Sequence, residues 1–186
     1  MHRHDLLRLL GGVSVVAGLT PDQLAALGRD IHGQLGQRPS PLGFFDPHQM
    51  HTVAAAGERL LPATDTPGAM AAECHRFAER VVAHHYDSAR QRRYLDGLVD
   101  LDQRASAAHN RLFIELSGAQ QDAVLQAVES DAYAAKAGGA DSFWRDLKYL
   151  TLFGYYTSEI GIEQELKTNR FPGRFDGSAP IVSVTR

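Results

Sequence analysis

The stretch DPHQMHTVAAAGERLLPATDTPGAMAAECHRFAERVVAHHY, residues 46–86, decides the fold. Asp46-Pro47-His48-Gln49 is a helix start. Asp46 can cap, Pro47 suits a first helical position that needs no N–H, and Gln49 can reach back to close a capping box. Met50, Val53, Ala54, Gly57, Leu60 and Leu61 then recur at helical spacing and predict one inward face. Pro62 ends that helix. ATDTPGA, residues 63–69, predicts a compact polar turn in which Asp65 and Thr66 bond to nearby backbone and Pro67-Gly68 forces the bend. A second helix is expected over 70–85, with Phe77, Val81 and Val82 apolar. Glu58, three residues before Leu61, is placed to order the turn through its backbone N–H groups, a structural role that outweighs proton transfer.

The same signals recur on both sides. Thr20-Pro21-Asp22-Gln23 opens a helix with Leu24, Leu27, Ile31 and Leu35 on one face, and Gly36 to Phe44 reads as a loop. A helix from Ser88 to Ala108 carries Tyr94, Leu98, Leu101 and Ala105. Ser117-Gly118-Ala119-Gln120 is a further capping box, before Val124, Leu125 and Val128. Ala137-Gly138-Gly139-Ala140 breaks the chain, and Ser142 caps the aromatic helix SFWRDLKYLTLFGYY. Helical period stops after Leu166, and no run alternates long enough for a sheet. The expectation is an all-α protein of six or seven helices in one compact domain with an extended C-terminal tail. Residues 1–19 form a leader or N-terminal helix, 20–45 a helix and linker, and 46–186 the main helical domain.

Composition narrows the function classes. The chain has 186 residues and a net charge of -3, so it lacks the basic footprint of a nucleic-acid partner. Arg90-Gln91-Arg92-Arg93, the densest basic cluster, reads as one solvated helix face. Cys74 is the only cysteine, which rules out an intrachain disulfide and a Cys-rich metal site. No stretch reaches the roughly 18 apolar residues of a membrane span. The longest candidate, Leu6 to Leu19, is broken by Arg8, Gly11, Gly12 and Ser14.

The chain carries no dinucleotide fingerprint, phosphate-binding loop, G-x-S-x-G or H-E-x-x-H motif. His48 and His51 share a helix face but need further converging ligands to hold a metal, and surface histidines are the plainer reading. His84-His85 point apart, and His75 beside Cys74 supplies only one ligand pair. No catalytic, cofactor-binding or metal-ligating residue is therefore assigned. The aromatic helix is more informative: Phe143, Trp144, Tyr149, Phe153, Tyr155 and Tyr156 exceed what one face of an outer helix buries. Either they fill the core or some meet a partner, where Tyr and Trp are favoured. Phe171, Pro172 and Phe175 in an aperiodic tail also point to a partner surface.

Three ordered blocks carry a family resemblance. ERLLPATDTPGAMAAECHRFAERVVAHHY, FIELSGAQQDAVLQAVE, and SFWRDLKYLTLFGYYTSEIGIEQEL with FPGRF resemble the gluconate 2-dehydrogenase subunit 3 family over about residues 46 to 180. The resemblance implies a non-catalytic small subunit of a flavin-dependent sugar or sugar-acid dehydrogenase of the glucose–methanol–choline type. It implies FAD in the large subunit, often a cytochrome c subunit as electron acceptor, and a role in maturation and export of the large subunit. The expected partner contacts are Asp65, Thr66, Pro67 and Gly68; Tyr155, Tyr156, Thr157, Ser158 and Glu159; and Phe171, Pro172, Gly173, Arg174 and Phe175, with Arg174 placed to meet a carboxylate. An export chaperone that leaves the mature enzyme and a stand-alone helical metal-binding protein are the alternatives.

The family's leaders read R-R-x-L-L-x-L-L-G. Here Arg3-His4-Asp5-Leu6-Leu7-Arg8-Leu9-Leu10-Gly11 keeps the frame but replaces the second arginine with His4. Histidine lacks the fixed charge and fork of a guanidinium. Ala17-Gly18-Leu19 runs into the capped helix at Thr20 without a clear cleavage site. The expectation is a periplasmic protein whose leader is retained as a short helix, with a cytoplasmic location as the alternative. Ser178 stands where several relatives carry a cysteine near the tail motif.

Overall fold

The computed structural model describes residues 20–37, 43–134 and 143–167. They form six α-helices: α1 (Pro21–Gln37), α2 (Pro47–Leu60), α3 (Cys74–His85), α4 (Ser88–His109), α5 (Gly118–Ala134) and α6 (Phe143–Thr157). A 3-10 turn, Phe113–Glu115, precedes α5, and a wide π-type turn, Ile160–Glu165, follows α6. No strand occurs among the described residues, so the all-α expectation holds.

Two helix starts form as their sequences dictate. At α2 the Asp46 carboxylate accepts from Gln49 N at 2.8 Å while the Gln49 side chain accepts from Asp46 N at 3.0 Å. Thr20 and Gln23 make the same reciprocal pair at α1. Asp87, which carried no prediction, caps α4 by accepting from Arg90 N at 2.8 Å.

The helix expected over 70–85 begins later, at Cys74. Glu73 takes a left-handed conformation at φ 52°, which breaks helical continuity. Residues 69–73 instead close a tight loop in which Cys74 N donates to Ala69 O at 3.0 Å.

α6 lies at the centre and touches all five other α-helices. Trp144, Leu147, Tyr149, Leu150, Leu152, Phe153 and Tyr155 are buried, and no residue of α6 is fully exposed. A helix enclosed on several sides can bury aromatics around its circumference, so the premise of a single inward face does not apply. The core reading holds for Trp144, Tyr149, Phe153 and Tyr155, while Phe143 and Tyr156 are half-buried. Phe77 of α3 is completely buried, stacked on His32 of α1 at 5.0 Å and set edge-on to Phe153 at 5.5 Å. Burying a side chain of this size is worth about 1.5–3 kcal/mol.

The basic cluster at the start of α4 divides its roles. Arg92 and Arg93 are exposed as expected, but Arg90 reaches across to the buried Asp146 of α6 in a two-pronged ion pair. The Arg90 guanidinium also lies 4.2 Å from the Tyr86 ring centroid. Gln91 donates to the carbonyls of Val82 and Ala83, tying α4 to the end of α3. Buried Glu79 of α3 accepts from Phe44 N at 2.9 Å and Phe45 N at 3.1 Å, fixing the approach to α2.

Candidate functional site: the clamped turn and the end of the aromatic helix

α2 ends at Leu60, and the chain reverses direction over residues 61–73. The reversal is held from below by Glu58. One carboxylate oxygen accepts from Ala63 N at 3.0 Å and the other from Met70 N at 2.8 Å, bridging the two limbs. This is the role the sequence assigned to Glu58. Backbone bonds complete the loop: Ala69 N donates to Leu61 O at 2.9 Å and Thr64 N to Thr66 O at 2.9 Å. Gly68 is buried inside it. A Cβ there would sit 2.7 Å from Ala63 N and collide with the Glu58 carboxylate, so the clamp requires glycine.

The end of α6 packs against this turn. The Tyr155 hydroxyl donates to Pro67 O at 2.8 Å, and the Thr66 hydroxyl donates to Glu165 of the π-type turn at 2.7 Å. Ala69, Ala72, Cys74 and Tyr155 form a second small buried cluster, covered by Leu61, Tyr156 and Ile160. Burial is the main cause that raises both the Tyr155 and Tyr156 phenols above the ordinary tyrosine value, with nearby Glu165 adding to it. Both phenols are therefore neutral hydrogen-bonding groups. The Ser158 hydroxyl donates to Tyr155 O at 2.6 Å and accepts from Gly161 N at 3.1 Å, which steers the chain into the wide turn. Gly161 passes so close to the Tyr155 carbonyl group that a side chain would overlap it.

Two of the three contact regions expected from sequence thus come together in one surface. Within it Asp65 and Glu159 are exposed, and Thr66, Pro67, Tyr156 and Thr157 are half-buried. Gly68, Tyr155 and Ser158 are buried and support the face from inside. The third region, Phe171, Pro172, Gly173, Arg174 and Phe175, lies outside the described residues, as does the leader with His4. Sequence reasoning missed Met70 and Leu166, which lie in these segments and are 48% and 42% exposed. An apolar residue in a turn carries no periodic signal to mark it.

Among the described residues the histidines play separate parts. His48 bonds to Asp102 at 2.6 Å, and His51, His84 and His85 are exposed. No group of three or more His, Cys, Asp or Glu that could hold a metal occurs among the described residues. Cys74 is buried, and its thiol is pushed up to about 12, chiefly by that burial, so it stays protonated at neutral pH. A cleft of about 290 Å³ opens between α2, α5 and α6. Its charged residues pair with one another, Arg59 with Asp122 at 2.7 Å and Lys148 with Glu129 at 2.8 Å. No helix among the described residues is long and apolar enough to cross a membrane.

A protein-family model described as Gluconate 2-dehydrogenase subunit 3 matches residues 47–173. It begins at the first residue of α2 and takes in the clamped turn and the end of α6. No curated protein and no solved structure matches the chain.

Proposed function

Because the chain belongs to the gluconate 2-dehydrogenase subunit 3 family, we infer that it is a non-catalytic accessory subunit of a dehydrogenase complex. Its partner in this reading is an FAD-containing catalytic subunit of the glucose–methanol–choline type that oxidises a hydroxyl of a sugar or glycoside. The small subunit binds and stabilises that flavoprotein and assists its maturation and export to the periplasm through the leader at residues 1–19. A cytochrome c subunit is the natural electron acceptor of such an assembly. The observation that carries the reading is the family match over residues 47–173. A supporting one is the face built by residues 61–73 and 155–166. It is ordered by the Glu58 clamp and the Tyr155–Pro67 bond.

Co-expression with a glucose–methanol–choline-type flavoprotein of the same organism, followed by pull-down through a tag on this chain, tests the proposal. Stoichiometric flavin absorbance and dye-linked sugar oxidation in the eluate are the expected result. A colourless folded monomer, with the flavoprotein fully active in its absence, would overturn it. A flavoprotein that needs this chain during export but is found without it afterwards would identify an export chaperone instead. Cell fractionation with intact-mass analysis tests the location and the leader. The expected product is periplasmic and retains residues 1–19.

A further inference from the structure

The clamped face has a lopsided charge. Within residues 61–73 and 158–167, Asp65, Glu159, Glu163 and Glu165 are exposed carboxylates, Glu73 is exposed but paired with Arg76 at 2.8 Å, and Lys167 is the one exposed cation. The same two segments also carry apolar side chains. Met70 and Leu166 are two of the five large, well-exposed hydrophobic residues among the described residues, and Leu61, Tyr156, Ile160 and Ile162 are half-buried. The two segments thus combine exposed apolar side chains with an excess of negative charge, a composition suited to a protein interface.

The sign of this charge selects the occupant. A second copy meeting this face about a two-fold axis would bring two sets of four such carboxylates together, and like charges across an interface oppose association. An anionic lipid surface or a nucleic acid is repelled for the same reason. We propose that residues 61–73 and 158–167 dock an apolar patch ringed by Lys and Arg on the catalytic subunit. The identity of that occupant rests on the accessory-subunit reading above. Glu58 and Gly68 hold the 61–73 part of this surface already ordered, which lowers the entropy cost of docking.

The test uses the full chain and the co-expressed catalytic subunit, with affinity measured at about 50 mM and about 500 mM NaCl, where the Debye lengths differ severalfold. The wild-type complex is expected to weaken at least about tenfold between these salts. The double variant Glu159→Lys with Glu163→Lys, neither of which holds the turn, should weaken binding about tenfold at low salt and much less at high salt. Met70→Asp should weaken it at both salts, because it removes apolar contact rather than surface charge. Thermal melting of each variant separates lost docking from lost folding. A wild-type complex that forms but is indifferent to salt and to both variants overturns this assignment and leaves the accessory-subunit reading intact. A homodimer abolished by Met70→Asp overturns the choice of occupant. Failure of any wild-type complex to form removes the accessory-subunit reading and this occupant with it.

Discussion

Glu58 connects two limbs of a turn that are otherwise joined by few backbone bonds, and both of its oxygens accept from main-chain N–H groups. A carboxylate can do this because it has lone pairs on both oxygens and no donor. Glutamine of nearly the same shape has one carbonyl oxygen and an NH2 that faces a donor across the other limb. Glu58→Gln should therefore lose one clamp bond and set two donors against each other. Hydrogen bonds to charged groups are worth about 1.5–3 kcal/mol when buried; at this half-exposed site a loss of about 1–2 kcal/mol is expected. For a chain of this length that corresponds to a fall of about 3–6 °C in Tm, readable by far-UV circular dichroism. Gly68→Ala should cost at least as much, because the methyl collides with the same carboxylate. The two losses should be less than additive, since either change breaks the same contact. Full additivity would show that Gly68 is needed for a reason other than the clamp.

α6 illustrates what a single sequence yields about an element and what it withholds. Its helical character, its length and its aromatic load are all legible from residues 143–157, and so are the starts of α1 and α2, because capping boxes act within four residues. The Glu58 clamp is legible for the same reason: an acid at the end of a helix beside a turn rich in free N–H groups. The central position of α6 is not legible, because it depends on how five other helices arrange around it. Arg90 resembles Arg92 and Arg93 in sequence, yet its partner Asp146 lies 56 positions away. Nor does the left-handed Glu73 that delays α3 have a propensity signal, since glycine or asparagine normally marks that conformation. The buried Arg90–Asp146 pair makes the element's first prediction. Asp146 is 2% exposed, and Asp146→Ala deletes the two-pronged acceptor while leaving the guanidinium at the α4–α6 contact. Removing one member of such a pair typically costs about 3–5 kcal/mol. Urea unfolding should show the midpoint falling with little change in slope. A loss below about 1 kcal/mol would mean that the pair only breaks even against its desolvation.

The whole molecule closes when α1 lies over the seam between α3 and α6, and that closure should depend on pH. The His32 ring stacks on Phe77 of α3, and its Nε2 lies 2.8 Å from Gly154 O of α6. A carbonyl can only accept, so Nε2 carries the hydrogen. Burial is the largest influence on His32 and lowers its pKa from the ordinary 6.5, outweighing the Gly154 bond and the Glu73 carboxylate that favour protonation. His75 on α3 is lowered in the same direction, again mainly by burial. Arg76 and His51 add to the effect, while Glu73 and Glu79 oppose it. In the unfolded chain both rings take up a proton as the pH falls below about 6.5, whereas in the folded chain they resist until a lower pH. The two histidines therefore contribute their full stabilisation above that value. It declines as the pH falls through 6.5 and continues to decline until the folded pKa values are passed. Between about pH 7.5 and 5, above the range where most carboxylates titrate, Tm should fall, with most of the drop below 6.5. His32→Gln can still donate toward Gly154 O but does not titrate, so its Tm should fall less steeply over the same range whatever its absolute value. His75→Gln should remove a further part of the slope. An unchanged slope in both variants would place the pH dependence elsewhere in the fold and leave the docking of α1 to Ile31 and Leu35, the two buried apolar residues on its inner face.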